Sequence, residues 1–294
     1  MKFLLIGNGF IIPSHKQTIK SIGGEIVSIV DKDQGEGRWK EEVKKTNADC
    51  VVVLTPNDLH FEMAELAAEQ GKVVLCEKPL TFKSEQTEVL TEKDNIFTVL
   101  QLRYHPFVEK IRTSLANARQ NLDFSLRSEL KQEQLVKNVN HKIEMNIYFK
   151  RDDEKYINGW KNKKERSGGF LFNLGIHYFD LLIHLFGEPK NIEVDSIYER
   201  NDSNPEASAS GIIKGDNYTC KWRMYINKKE VGQIIKKREF VINGTSYNFS
   251  SKDNLAEENL HKFVYQDLLN GKGITPQEAL KSIKLIEQIY EKHS

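Results

Sequence analysis

The sequence predicts an α/β chain with an N-terminal doubly wound parallel sheet. An α+β domain built on an open, mainly antiparallel sheet is expected to follow it. Three observations lead there. Short apolar strand patterns alternate with polar helical ones through the first part of the chain. Two glycines, Gly7 and Gly9, directly follow the first of those strands. Beyond about residue 118 the pattern changes to period-two alternation with hairpin signals. The expected domains are therefore 1–118 and 119–294.

Strand patterns in the first domain are Lys2–Ile6, Glu25–Val30, Cys50–Leu54, Val73–Cys76 and Phe97–Leu100. Between them, Asn57–Gln70 places Leu59, Met63, Leu66 and Ala67 on one helical side, and Gly71 closes it. In the second domain Phe124–Leu130 and Lys142–Lys150 alternate like strands with one wet face. Arg151–Lys164 is polar with embedded aromatics, and Leu174–Phe186 reads as an apolar helix ended by Gly187 and Pro189. Ile192–Tyr198, Ala207–Lys214, Asn217–Tyr225 and Glu239–Ile242 read as strands, with Glu199–Glu206 an exposed turn. Asn243-Gly244 is a tight-hairpin signal. Pro276–Lys292 has helical spacing, with Ala279, Leu280, Ile283, Ile286 and Ile289 on one side.

The chain has 294 residues, enough for two cores. Its net charge of +1 gives no basic surplus for nucleic acid or an anionic membrane, so neither is expected as a partner. Cys50, Cys76 and Cys220 are odd in number and have no metal-type spacing. They point to a reducing cytoplasm, with no disulfide framework and no metal. Met1–Gly7 reads as a buried strand, not a signal peptide, and no membrane span is expected.

The candidate chemistry follows the strand ends. Gly7 and Gly9 permit a tight turn and close backbone approach to a pyrophosphate. Ile12 stands where a third glycine would complete that pattern, and Pro13 suits a helix start. Asp31 ends the second strand, where a carboxylate can bind ribose hydroxyls and repel the extra phosphate of NADP; a helix cap is the competing reading. Together these favour NAD. Asn57 and Asp58, in the Thr55–His60 stretch, could cap the next helix, contact the cofactor, or both. Glu77-Lys78-Pro79 holds an ammonium at a strand end, suited to stabilising developing oxyanion charge, with either proline isomer possible.

His177 is the candidate base, since imidazole titrates near neutral pH; a hydrogen-bonded core histidine is the alternative. Asp180 and His184 share its helix face by spacing, and His184 is read as structural. Asn173, one turn ahead of His177, could cap the helix or bind a sugar hydroxyl. Arg103, in the stretch from Gln101 to Pro106, suits an oxyanion, or equally an inter-domain ion pair. Tyr156, Trp160 and Lys161 could line a nucleotide-sugar pocket or pack under a loop.

These motifs, in this order and spacing, resemble the glucose–fructose oxidoreductase and inositol dehydrogenase family. The resemblance rests on the Gly7/Gly9 turn, Thr55-Pro56-Asn57 with His60, Glu77-Lys78-Pro79, and Gly168-Gly169 leading to His177 and Asp180. Within the family the chain is most similar to dehydrogenases of UDP-N-acetylglucosaminuronate from bacterial surface-polysaccharide pathways. That similarity lies in Gly9–His15, Leu100–Pro106, Asn173–Asp180, Phe240–Gly244 and Asn270–Gly273.

The resemblance implies a Rossmann domain and a second domain whose open sheet serves oligomer contacts, often in a homotetramer. It also implies Lys78 and His177 as the catalytic pair. NAD would be held by Gly7, Gly9, Phe10, Ile11, Asp31, Thr55, Asn57, His60, Glu77, Lys78 and Gln101. The sugar would be met by Lys78, Arg103, Tyr104, Trp160, Asn173, His177 and Asp180. Many relatives place aspartate at the position of Asn173, which bears on any aspartate–lysine relay. A nucleotide-sugar substrate and coupling to a PLP aminotransferase follow from the same resemblance. A neutral sugar or an inositol as substrate, and a non-catalytic NAD-binding sensor, are the rival readings.

Overall fold

The structure, a computed structural model, describes residues 1–35, 37–126, 140–199, 206–230, 233–249 and 260–293. The chain forms two compact units that interleave in sequence. One comprises Met1–Leu102, Asn158–Asp180 and Glu257–Glu287; the other comprises Arg103–Ile157, Leu181–Ala256 and Gln288–Ser294.

The first unit is built on five parallel strands: β1 (Lys2–Ile6), β2 (Glu25–Val30), β3 (Cys50–Val53), β4 (Val73–Cys76) and β5 (Ile96–Thr98). Their order is β2-β1-β3-β4-β5, so the sheet is wound in both directions from β1. Strands buried on both faces need near-continuous apolar runs, and Cys50-Val51-Val52-Val53 is wholly buried. Helices α1 (Ile12–Ser21), α2 (Arg38–Lys45), α3 (His60–Glu69) and α4 (Ser84–Thr91) make the connections.

Register decides where the site lies. Ile6 pairs with Val30 and with Val53, Val53 pairs with Cys76, and Cys76 pairs with Thr98. The residues that follow, including Gly7, Asp31, Thr55, Glu77 and Gln101, therefore leave the sheet along one carboxyl edge. Open α/β sheets bind ligands at that edge, where the winding reverses.

The predicted strands recur, with the third and fifth ending one and two residues early. The helix expected over Asn57–Gln70 opens as a 3-10 turn, Asn57–Leu59, before α3. Near the chain's end, α7 (His261–Leu269) also belongs to this unit, as does α8 (Pro276–Glu291) through Glu287. A reciprocal cap starts α8: the Thr275 N–H donates to Glu278 Oε2 (3.1 Å) and the Glu278 N–H to Thr275 Oγ1 (3.4 Å).

The second unit holds α5 (Pro106–Leu126) and a six-stranded sheet. Its strands are β6 (His141–Phe149), β7 (Asn191–Tyr198), β8 (Ala207–Lys214), β9 (Tyr218–Ile226), β10 (Lys237–Ile242) and β11 (Thr245–Asn248). The order is β11-β10-β6-β9-β8-β7, antiparallel except for β6 with β9. Alternation is clean: Cys220, Trp222 and Met224 are buried while Lys221 and Arg223 face out. Asn243 (φ 49°) and Gly244 (φ 85°) form the hairpin turn, as their dipeptide predicts.

One expected strand is corrected. Residues 124–126 of the predicted strand Phe124–Leu130 end α5, and 127–130 lie outside the described residues. A short alternating pattern cannot outweigh the helix-favouring run that precedes it. The expected turn at Glu199–Glu206 also falls largely outside the described residues.

One helical run, Lys164–Phe186, is long and apolar enough to cross a membrane by length and composition, against the expectation from sequence. It is broken by a π-type turn at Leu171–Gly175 before α6 (Ile176–Phe186), and 78% of its apolar window is buried inside the protein. That burial is the mark of a core helix.

Candidate active site

The glycine turn is shaped from two sides. The Gly7 N–H donates to the Val30 carbonyl (2.7 Å), and its φ is +103°. A Cβ there would lie 2.8 Å from the Leu54 carbonyl oxygen, so no other residue fits. A Cβ on Gly9 would meet nothing within 4 Å. The first glycine thus makes the turn, and the second leaves space over it at the start of α1. Phe10 is 89% exposed beside this space, and Lys161 Nζ lies 5.7 Å from both the Phe10 and Trp160 ring centroids. A predicted cofactor contact and a predicted substrate contact are thereby brought together through Lys161. Ile11 precedes α1 in helical conformation.

Asp31 follows β2 on the same edge, half-buried. Gln101 offers a further fit for a bound dinucleotide, because its buried Oε1 has no hydrogen-bond partner among the described residues. The turn, the open space above Gly9 and this orphaned acceptor suit a ligand carrying both phosphates and amide or hydroxyl donors.

Lys78 follows Glu77 at the end of β4, and the Lys78–Pro79 peptide is cis. Its ammonium donates to the Asn173 main-chain carbonyl (2.6 Å). That carbonyl belongs to the π-type turn Leu171–Gly175, and widened turns of this kind recur at functional sites. His177 stands one turn further along, half-buried, at the start of α6, and Asp180, three residues on, is buried. Lys78 is therefore held at the beginning of the segment that carries His177. Asn173 contributes its main chain here, a role its side-chain chemistry does not announce.

Two predicted cofactor residues have side chains bonded within the protein. His60 is fully buried, with Nδ1 2.7 Å from the Pro79 carbonyl and Nε2 3.0 Å from the Thr55 carbonyl. Burial pushes its pKa below the ordinary value while the two carbonyls pull it up, and the ring, lying between them, spans from the Thr55 loop to the Lys78–Pro79 turn. Asn57 is buried too, and its amide donates to the Ser167 carbonyl (2.9 Å). Asp58 pairs with Arg166 at 3.0 Å, so neither residue supplies a side-chain helix cap. Thr55 turns its hydroxyl to Met63 Sδ (3.4 Å).

Arg103 and Tyr104 lie half-buried in the second unit. Tyr156, also there, packs beneath the Arg151 guanidinium, as the loop-packing reading expects. Arg112 meets His184 in the same unit.

Sequence reasoning missed one cluster. Glu77, expected to hold cofactor directly, is buried against His15 Nε2 (3.0 Å) and His261 Nε2 (3.5 Å). Burial alone would raise its pKa, but hydrogen bonds and charge from both histidines carry the carboxyl well below its ordinary range. Burial pushes the His15 pKa below its ordinary value, against the raising pull of Glu77. His15 and His261 are 246 positions apart, and no local signal pairs them.

Comparison with known proteins accords with this geometry. Residues 1–100 match the NAD-binding Rossmann-fold model of an oxidoreductase family, and residues 133–250 match the same family's C-terminal alpha/beta domain. A scyllo-inositol 2-dehydrogenase (NADP(+)) of Bacillus subtilis is 29% identical over 165 residues, 55% of this chain and 42% of that protein. The chain spans about half the length of the curated relatives it matches first, at 42%, 55% and 50%.

The WlbA (WbpB) dehydrogenase of Thermus thermophilus, solved in complex with NAD and UDP-GlcNAcA, is 25% identical. Its TM-score is 0.72, with 97% of this chain and 92% of that one covered. The WlbA dehydrogenase of Bordetella pertussis, at 21% identity and a TM-score of 0.75, shares the fold over 100% of this chain and 96% of its own. Both domain models match in order and together account for most of the sequence. The chain belongs to the glucose–fructose oxidoreductase and inositol dehydrogenase (Gfo/Idh/MocA) family, with an NAD-binding Rossmann domain.

Proposed function

We propose that this protein oxidises the C3 hydroxyl of UDP-2-acetamido-2-deoxy-D-glucuronate to the 3-keto sugar, using NAD. The observation that carries this is the fixed ammonium of Lys78 at the start of the His177-bearing segment. Bound NAD supplies the hydride acceptor. His177 takes the hydroxyl proton as the C3–H bond breaks. Lys78, with its ammonium already oriented, polarises the same oxygen while charge develops on it. Gly7, Gly9, Asp31 and Gln101 form the cofactor cleft, with Phe10 and Trp160 beside it.

The Thermus relative supports the acidic nucleotide sugar as substrate. The inositol dehydrogenase relative favours a second reading, the same chemistry on a neutral polyol. With the acidic sugar, the proposal extends to a cytoplasmic homotetramer in surface-polysaccharide synthesis, feeding a PLP aminotransferase.

The test is NADH formation from UDP-N-acetylglucosaminuronate, UDP-N-acetylglucosamine and scyllo-inositol, with an aminotransferase pulling the equilibrium. Turnover of the acid, lowered about 10²- to 10⁴-fold in His177→Asn, is expected. Turnover of a neutral substrate alone would replace the substrate, and full turnover in His177→Asn would remove the base.

A further inference from the structure

Beside the turn that bears Lys78 lies a buried set of polar side chains to which the proposed hydride and proton transfer assigns no step. It draws on three elements of the first unit. His15 comes from α1, Glu77 from the end of β4, and His261 and Tyr265 from one face of α7 at i, i+4 spacing. His15 and Tyr265 are both 0% exposed.

Donor and acceptor roles follow from chemistry. The Glu77 carboxylate can only accept, so His15 Nε2–H donates to Oε1 at 3.0 Å. In the neutral form of the ring the other nitrogen accepts, and the Tyr265 hydroxyl lies 2.8 Å from Nδ1, placed to donate to it. His261 Nε2 approaches the same carboxylate oxygen at 3.5 Å, with Ser14 Oγ 3.5 Å from its Nδ1. The ligand atoms of His15, Glu77 and His261 lie within 4.8 Å of one another, a grouping that metal sites share. Here Tyr265 and His15 form a hydrogen-bonded chain to a buried anion, and His261 Nε2 flanks it at ion-pair distance. Such an anion costs several kcal/mol unless it is compensated.

The second carboxylate oxygen gives the network its use. Glu77 Oε2 accepts the main-chain N–H of Lys78 at 3.2 Å. We propose that His15, His261 and Tyr265 are positioning residues for Lys78, acting through Glu77. Lys78 is then held at both ends, its main chain by Glu77 and its ammonium by the Asn173 carbonyl. The network also ties α1, which follows the glycine turn, to the lysine turn, so both sides of the cofactor cleft share one brace.

This inference rests on the reading of Lys78 as a working residue, yet its test needs no turnover. The full chain is acetylated with limiting acetic anhydride, and lysine modification is read by peptide mass spectrometry. Lys190, whose side chain is 66% exposed, serves as the reference. Lys72, whose ammonium is bonded to the Thr46 and Ala48 carbonyls (3.1 and 2.9 Å), reports general loosening of the first unit.

His15→Leu is expected to raise Lys78 acetylation several-fold with Lys72 unchanged. His15→Gln, which keeps an N–H donor near the Nε2 position, should bring Lys78 most of the way back. Unchanged Lys78 reactivity in His15→Leu would overturn the proposal, as would a rise shared with Lys72. If His15→Leu does not fold, Tyr265→Phe removes only a hydroxyl and is read in the same way. A smaller rise confined to Lys78 is then expected, and none would overturn the proposal.

Discussion

Two glycines two positions apart do different work, and each can be tested singly. Gly7 needs its positive φ and has a carbonyl 2.8 Å from where a Cβ would stand, whereas Gly9 faces open space. Gly7→Ala forces strain of about 1–3 kcal/mol into the turn. It should lower both the melting temperature and NADH affinity. Gly9→Ala should leave the melting temperature in place and weaken the cofactor alone, because its methyl group enters the space a pyrophosphate needs. Calorimetry and NADH fluorescence titration separate the two effects, and identical behaviour of both variants would refute this division. These glycines, Lys78 and His177 were legible because each follows a recognisable strand or opens an apolar helix. His261 and Tyr265 were not: they lie against Glu77 and His15, and only the fold brings α7 to β4 and α1. The contact of the Asn173 carbonyl with Lys78 was not legible, since a main-chain carbonyl carries no sequence signature.

Elements with strong periodicity were read well, and those without were not. The parallel strands announced themselves as apolar runs, and the hairpin at Asn243-Gly244 as a dipeptide. At residues 124–126 the expected strand gave way to the end of α5, because alternation over a few residues also fits the end of a long helix. The start of that helix, α5, carries a pH dependence. His105 precedes α5, and its Nδ1 accepts the Phe107 N–H (3.1 Å), so the ring must stay neutral to cap the helix. Burial, with Lys110 adding to it, pushes its pKa from the ordinary 6.5 to about 4. The folded chain therefore binds fewer protons than the unfolded one across that interval. His105 contributes stability that is fully present above pH 6.5 and is lost as pH falls toward about 4. His105→Asn retains an acceptor but cannot titrate. Its melting temperature should fall less steeply than the parent's over that range, and parallel slopes would contradict the assignment.

At the scale of the whole molecule, the residues expected to bind cofactor and substrate distribute along one sheet edge and one helical segment of the first unit. Arg103 and Tyr104 fall in the second. The alternating pattern identified the fold class, and the strand register then turned scattered motifs into neighbours. Sequence could not foresee that the units interleave, because chain segments such as Asn158–Asp180 join the first unit through long-range packing.

The central claim is hydride transfer from sugar C3 to NAD at the Lys78–His177 site. Its most direct test is turnover of UDP-N-acetylglucosaminuronate deuterated at C3, with the reduced cofactor analysed by mass spectrometry. Deuterium is expected in the nicotinamide ring, appearing together with the 3-keto sugar. Reduced cofactor without the label would place the oxidation at another carbon and contradict the account.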